Sequence, residues 1–347
     1  MAKFIAYVAE KSYDDYSQED RIVREAGGEL RFARCTTEED ICEQCADAHA
    51  LLLRQTPVGE QAFGALRNLR VVSRYGVGYD NVDTAAATRA GIIVTFVPDY
   101  CVGEVADHAI ALLMSVIRRT PLRDRLVRQG GWDITSRKPV HRTEGRIFGL
   151  VGYGKTAREV RRRLGGFPFR FAAFDPYVND EVFKRENTIR LDFEKLITVS
   201  HYVSIHAPLN SETDRLFDLA IFKRMRRSSV LVNTSRGGIV DLRGLYTALR
   251  EGYIGGAGLD VFEKEPFDLS NPLRRMDSVV LSDHASWYSE ESQAELQRRT
   301  AEEAVALFTG GIPENPVNPE ALSGKIIEME RERRPVIKEP VLRKLSN

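Results

Sequence analysis

The chain has 347 residues, 43% of them hydrophobic and 29% charged, and its 50 basic side chains balance its 50 acidic ones. That length exceeds what one core usually supports, so two domains are expected, with the composition of an ordinary globular protein. Zero net charge excludes a long-range pull towards nucleic acid or an anionic membrane, and no apolar run reaches the length of a membrane span. Residues 1–3 lead straight into a strand-like run instead of a signal peptide, so a cytoplasmic location is expected.

Residues 3–9, 29–33, 49–53, 70–74 and 92–94 read as short strands rich in branched or aromatic residues. Helical stretches at 18–26, 38–47, 59–66 and 83–89 lie between them. This alternation predicts a parallel sheet covered by helices on both faces, a first α/β domain. Four cysteines in so long a chain make no disulfide framework. Cys42 and Cys45 form a CxxC, but Thr37 and three following acids mark the start of a helix there. With no second CxxC or suitably spaced Cys/His pair, no metal is expected, and these read as small buried side chains.

The segment RYGVGYDNVD, Arg74 to Asp83, sits where a strand ends, which is where open α/β sheets bind ligands. Gly76 and Gly78 let backbone amides turn towards an anion such as a carboxylate, and Arg74 adds a cation beside them. Arg54 ends the neighbouring strand and is expected to face the same spot.

After Pro98 the pattern becomes a long amphipathic helix, residues 104–118, suited to bridging two domains, within which His108 reads as structural. Residues 122–144 are charged and broken by Gly130-Gly131 and Pro139, with Trp132 read as a packing anchor. Then comes the strand Ile147 to Val151, Gly152 and Gly154 in GxGxx spacing, a helix over 155–164 stopped by Gly165-Gly166, and a second strand ending in Asp175. A tight turn, close approach of backbone to a pyrophosphate, a helix N-terminus and a ribose-binding acid make this a dinucleotide site. Ala157 holds the third glycine position, where only a small side chain is needed. A carboxylate at Asp175 pairs with a free 2′-hydroxyl and repels a 2′-phosphate, which favours NAD over NADP. Arg158, Arg161, Arg162 and Arg163 read as a solvated helix face.

Strands at 201–206, 229–233, 255–260 and 278–281 complete a sheet of about six, with helices such as 241–250 between them. From Ser289 a strong helix runs to Gly310-Gly311, with a serine cap and early acids. Its length matches the first bridging helix, so the chain is expected to cross back. A cofactor domain over 102–285 is then inserted into a discontinuous substrate domain, 1–101 and 286–347. The residues from about Ser323, charged and containing Pro335 and Pro340, read as an appendage or a frayed tail.

Arg236 in NTSRGGIVD, Glu265 in GLDVFEKEP and His284 in SDHASWYS each follow a strand of the second half. Hydride transfer to a 2-oxo acid needs a cation to bind the carboxylate and polarise the carbonyl, which suits the planar fork of arginine. It needs an acid to protonate the carbonyl oxygen, which suits histidine, and a carboxylate beside the histidine favours its charged form and fixes its orientation. The three residues form one hypothesis.

From about Arg54 to Ala321 the chain resembles the D-isomer-specific 2-hydroxyacid dehydrogenases, through RYGVGYDNVD, GYGKTA with Asp175, HAPLNSET, NTSRGGIVD, GLDVFEKEP and DHASWYS in order. The resemblance implies two doubly wound domains, a Rossmann NAD-binding domain inserted into a flavodoxin-like one. It implies Arg236 as the substrate-binding arginine, His284 as the acid/base and Glu265 as its partner. Cofactor contacts are implied for Gly152, Gly154, Lys155, Thr156, Asp175, His206, Pro208, Thr234, Ser235, Asp260 and Ser286, and substrate contacts for the backbone of Val77 and Gly78. A homodimer acting on a small 2-hydroxy or 2-oxo acid is expected. WYSE after the histidine is similar to the C-terminal-binding proteins, co-repressors with a dehydrogenase fold, which leaves an NAD(H)-sensing binding protein as the alternative. Arg54 with Arg74 is similar to D-3-phosphoglycerate dehydrogenases, where arginines near the carboxylate loop receive the phosphate. Glu265 stands where formate dehydrogenases have glutamine, against that activity, and Trp287 is a candidate pocket wall.

Overall fold

The computed structural model describes residues 3–134 and 139–322, so the charged segment from Ser323 lies outside the described residues. The described parts of Met1–Tyr100 and Gln293–Asn347 form one compact unit, and Cys101–Ser292 form another.

In the first unit β1 (Ile5–Val8), β2 (Glu29–Phe32), β3 (Ala50–Leu53), β4 (Val71–Arg74) and β5 (Ile93–Thr95) alternate with α1 (Ser17–Glu25), α2 (Glu38–Gln44), α3 (Glu60–Ala65) and α4 (Thr84–Arg89). The strands are all parallel, in the order β2-β1-β3-β4-β5, the flavodoxin-like arrangement with its switch point between β1 and β3. All four residues of β3 are buried, as a strand covered on both faces requires. Helix α2 begins with a full capping box between Thr37 and Asp40. Cys42 lies within α2 and Cys45 ends it, the latter a fully buried thiol pushed up by desolvation.

The second unit holds α5 (Val102–Arg118), α6 (Thr120–Arg128), β6 (Ile147–Val151), α7 (Lys155–Arg163), β7 (Arg170–Phe174), α8 (Asp180–Arg185), β8 (Ile189–Arg190) and α9 (Phe193–Val199). It continues through β9 (Tyr202–Ile205), α10 (Leu219–Arg224), β10 (Val230–Asn233), α11 (Leu242–Arg250), β11 (Gly256–Leu259) and β12 (Val279–Leu281). Its sheet is parallel in the order β8-β7-β6-β9-β10-β11-β12, the Rossmann order extended by one strand. Two apolar cores cover its faces: Leu196, Phe222, Leu245 and Leu249 on one side, Leu112, Val160 and Phe183 on the other. Side chains of Asn179, Asp192, Asp218 and Asp241 cap α8, α9, α10 and α11. Helix α12 (Glu290–Val305) starts in this unit and continues into the first. The Ser289 hydroxyl caps it, accepting from the Ser292 amide at 2.9 Å.

Three expectations are corrected. The second sheet has seven strands, because the two-residue β8 pairs Ala172 with Ile189. Among the described residues Trp132 is no packing anchor: it is 91% exposed, in a segment that follows α6, a helix the charge pattern concealed. The α7 arginines are not a simple solvated face. Arg158 pairs with Glu186 at 2.8 Å, Arg163 with Glu159 at 2.7 Å and with Asp107, and Arg161 lies over the Phe171 ring.

Candidate active site

Strand β6 ends at a turn that only glycine fits. Gly152 has φ +82, and a Cβ there would stand 2.7 Å from the Ala207 amide nitrogen. Gly154, the residue before α7, faces open space, with nothing within 4 Å of a Cβ. Ala157, the third position, is fully buried against the sheet. Lys155 and Thr156 open α7, so a phosphate over Gly154 would meet a helix N-terminus. At the end of β7 the half-buried Asp175 accepts from the Tyr153 amide at 2.7 Å through Oδ2, and from the Tyr177 and Val178 amides at 2.9 and 3.2 Å through Oδ1. The carboxylate therefore ties the glycine turn to the loop beyond β7.

His206 follows β9, its Nε2 2.9 Å from Ser204 Oγ, and desolvation lowers its pKa to about 4, so it is neutral at pH 7. Pro208 is exposed two residues on. The Ser235 hydroxyl donates to the Ala207 carbonyl. The Thr234 hydroxyl is buried and has no hydrogen-bond partner among the described residues. An orphaned hydroxyl beside an open glycine turn and a neutral histidine fits a dinucleotide that takes up the missing contact.

His284 follows β12 in the left-handed region, φ +59, which costs a non-glycine residue about 1 kcal/mol. Asp260 holds it there. The fully buried carboxylate accepts from the Ser282 hydroxyl at 2.7 Å and from the Ala285 and Ser286 amides at 3.0 and 3.1 Å, while the Asp260 carbonyl accepts from the His284 amide at 2.8 Å. His284 Nδ1 stands 2.7 Å from Glu265 Oε2, and Glu265 Oε1 accepts from the Phe262 amide at 3.0 Å. Burial pushes the Glu265 carboxyl up, but the hydrogen bond and charge of His284, the Phe262 amide and the charge of Arg236 outweigh it, so its pKa is lowered. Glu265 thus feels the charges of both His284 and Arg236 within this unit.

Two residues that the sequence reading passed over set Arg236. Asn233 ends β10 and folds the turn on itself, its Oδ1 accepting from the Ser235 amide at 3.0 Å and its Nδ2 donating to the Arg236 carbonyl at 2.9 Å. An asparagine at a strand end was the available signal. Gly237 lets the next turn press onto Phe262.

In the first unit Arg54 and Arg74 sit at the ends of adjacent strands, Leu53 being in register with Arg74. The Glu10 carboxylate accepts from the Arg54 and Thr56 amides at 2.6 and 3.2 Å, stapling the loop after β1 to the turn after β3. Arg74 folds over its own loop and donates to the Tyr75 carbonyl. Gly76 has φ +126, and Val77 is exposed beside Gly78. Tyr13, raised to about 12 by desolvation, feels the charges of both arginines. Trp287 is half-buried, its ring edge-on to Tyr288 at 5.6 Å.

A Rossmann sheet with a complete dinucleotide turn, an acid after its second strand and a His–carboxylate pair defines a nicotinamide-dependent oxidoreductase. The NAD-binding domain of the D-isomer specific 2-hydroxyacid dehydrogenases matches residues 110–286. The chain is 40% identical to a glyoxylate reductase of Korarchaeum cryptofilum over 286 residues, 81% of this chain and 86% of that protein. It belongs to the D-isomer specific 2-hydroxyacid dehydrogenase family and is an NAD-dependent enzyme of that family. It is also 34% identical to a D-3-phosphoglycerate dehydrogenase of Archaeoglobus fulgidus over 299 residues, 85% of this chain but 56% of that longer protein. Among solved structures, an NADPH-dependent glyoxylate/hydroxypyruvate reductase from Sinorhizobium meliloti aligns with a TM-score of 0.81 at 26% identity, covering 92% of this chain and 98% of that one. These relatives favour the enzyme over the co-repressor-like sensor. Among the described residues no helix is long and apolar enough to cross a membrane.

Proposed function

We propose that the enzyme interconverts a short, unphosphorylated 2-oxo acid, glyoxylate or hydroxypyruvate, and its 2-hydroxy acid in the cytoplasm, with NAD preferred over NADP. The observation that carries the chemistry is the 2.7 Å contact between His284 Nδ1 and Glu265 Oε2. With Nδ1 engaged, Nε2 is the nitrogen left to give a proton to the carbonyl oxygen, and ionised Glu265 steadies the imidazolium beforehand. Arg236 clamps the carboxylate and polarises the carbonyl. When bound, the cofactor supplies or accepts the hydride at its nicotinamide ring. Gly152, Gly154, Lys155 and Thr156 are assigned to the pyrophosphate, Asp175 to the ribose, and His206, Pro208, Thr234, Ser235, Asp260 and Ser286 to the wall of the same site. The Val77 and Gly78 amides are assigned to the substrate carboxylate, and Trp287 to a pocket wall.

The substrate class is supported by the glyoxylate reductase likeness, which spans most of both proteins. A phosphorylated substrate is the second reading, supported by Arg54 and Arg74 at the ends of paired strands. Steady-state rates with NADH on glyoxylate, hydroxypyruvate, pyruvate and phosphohydroxypyruvate decide between them. A kcat/KM at least about tenfold higher for glyoxylate or hydroxypyruvate than for phosphohydroxypyruvate is expected; the opposite order would assign the arginines to a phosphate. Tight NADH binding with no turnover on any of the four would return the sensor reading.

A further inference from the structure

Helix α5 lies against β11 in a regular progression. A Cβ on Gly256 would stand 2.6 Å from Val116 Cγ1, and one on Gly258 2.9 Å from Leu112 Cβ. Two residues of strand advance about 6.6 Å and four of helix about 6 Å. The next step therefore pairs Asp260 with His108. There His108 Nε2 lies 2.8 Å from Ser282 Oγ and 3.4 Å from Asp260 Oδ1.

The Ser282 hydroxyl has one proton, and it is committed to the Asp260 carboxylate at 2.7 Å. Towards His108 its oxygen can only accept, so Nε2 of His108 carries a hydrogen. One turn earlier on the same helix face, Glu104 Oε1 accepts from the Ser289 hydroxyl at 3.0 Å. Both ends of segment 282–289 are thus tied to α5, and His284 lies between them in its left-handed conformation.

We propose that His108 is a positioning residue for proton transfer, donating through Nε2 to Ser282 and thereby holding the Asp260 carboxylate and the loop that aims His284. This rests on reading His284 as the acid/base. The loop must be over-determined to keep a non-glycine residue at positive φ, and His108 supplies one of its ties.

The test compares His108→Leu, which keeps bulk and loses the donor, with His108→Gln, whose amide can donate from the place of Nε2. With NADH and glyoxylate, H108L is expected to lower kcat about tenfold with KM for NADH within about twofold, and H108Q to restore it to within about threefold. In the cofactor-free protein, hydrogen exchange at the Ala285 and Ser286 amides should quicken in H108L and not in H108Q. Ser282→Ala should resemble H108L, and the double variant should be no worse than either. In a His284→Ala background the H108L effect should vanish, since it acts through His284. Unchanged exchange at Ala285 and Ser286 in H108L, a leucine effect that survives in H284A, or a glutamine variant as slow as the leucine one would overturn the proposal. If H284A itself keeps full turnover, the acid/base reading fails, and the exchange data still judge the tie between His108 and the loop.

Discussion

Gly237 and Phe262 touch in a way only glycine permits. A Cβ on Gly237 would stand 1.9 Å from the Phe262 carbonyl carbon and 2.5 Å from the Glu263 nitrogen, closer than any real contact. Gly237 directly follows Arg236, and the Phe262 amide holds Glu265. The contact joins the arginine's turn to the loop of its carboxylate neighbour, so the spacing of two charged side chains is set by backbone against backbone.

Replacing Gly237 by alanine must therefore push these turns apart. A loss of about 1–3 kcal/mol in unfolding free energy is expected for an added methyl with nowhere to go. A fall in kcat/KM should accompany it, from displaced Arg236. Denaturant midpoints and steady-state rates measure both; a parental midpoint with parental rates would mean the backbone yields without cost.

The Glu265 carboxyl titrates lower in the folded chain than its ordinary value of about 4.5. A depressed acid stabilises the fold above that ordinary value, and the contribution is lost as pH falls through the depressed one. Glu265→Gln has no such charge. At pH 7 the variant should be less stable than the parent, and the gap should close as pH drops below about 4. The same variant should lose about 10² in kcat, because Gln cannot steady a charged His284. Urea titrations from pH 3 to 7 follow the first effect, and a gap that stays constant over that range would contradict the ion pair.

Cofactor preference is the province of Asp175. Asp175→Ala removes both the ribose partner and the repulsion of a 2′-phosphate, so the NADH-to-NADPH ratio of kcat/KM should fall at least about tenfold. Because the carboxylate also receives the Tyr153, Tyr177 and Val178 amides, NADH binding should weaken as well. An unchanged ratio would remove Asp175 from the ribose.

Much of the architecture was legible because each local signal agrees with the global fold. The run Ile147–Val151 is a strand to the residue, since a glycine turn follows it, and Thr37 caps α2 as its position implies. What escaped is what sequence separation hides. Strand β8 is two exposed residues, too short for any periodicity. Helix α6 carries arginines on so many positions that its apolar stripe is thin, with Leu122 its one buried residue. His108 and Ser282 are 174 residues apart, and only the packing of α5 on two β11 glycines brings them together. Arg236, Glu265 and His284 stood out because their chemistry is scarce at strand ends, whereas Asn233 and Gly237, which place Arg236, look like ordinary turn residues.

Exposed apolar side chains in the last turn of α6 and in the segment after it bear on the expected homodimer. Trp132 is 91% exposed, Ile134 76% and Val127 54%, all within eight residues of sequence. A cluster of this sort on a protein with zero net charge is an interface signal, and a two-fold dimer would bury the same patch on each copy. Trp132→Glu would place a charge from each protomer in that patch. The parent is expected to sediment as a dimer and the variant as a monomer, with far-ultraviolet circular dichroism unchanged because Trp132 is 91% exposed. A parent that sediments as a monomer, or a variant that stays dimeric, would place the contact elsewhere.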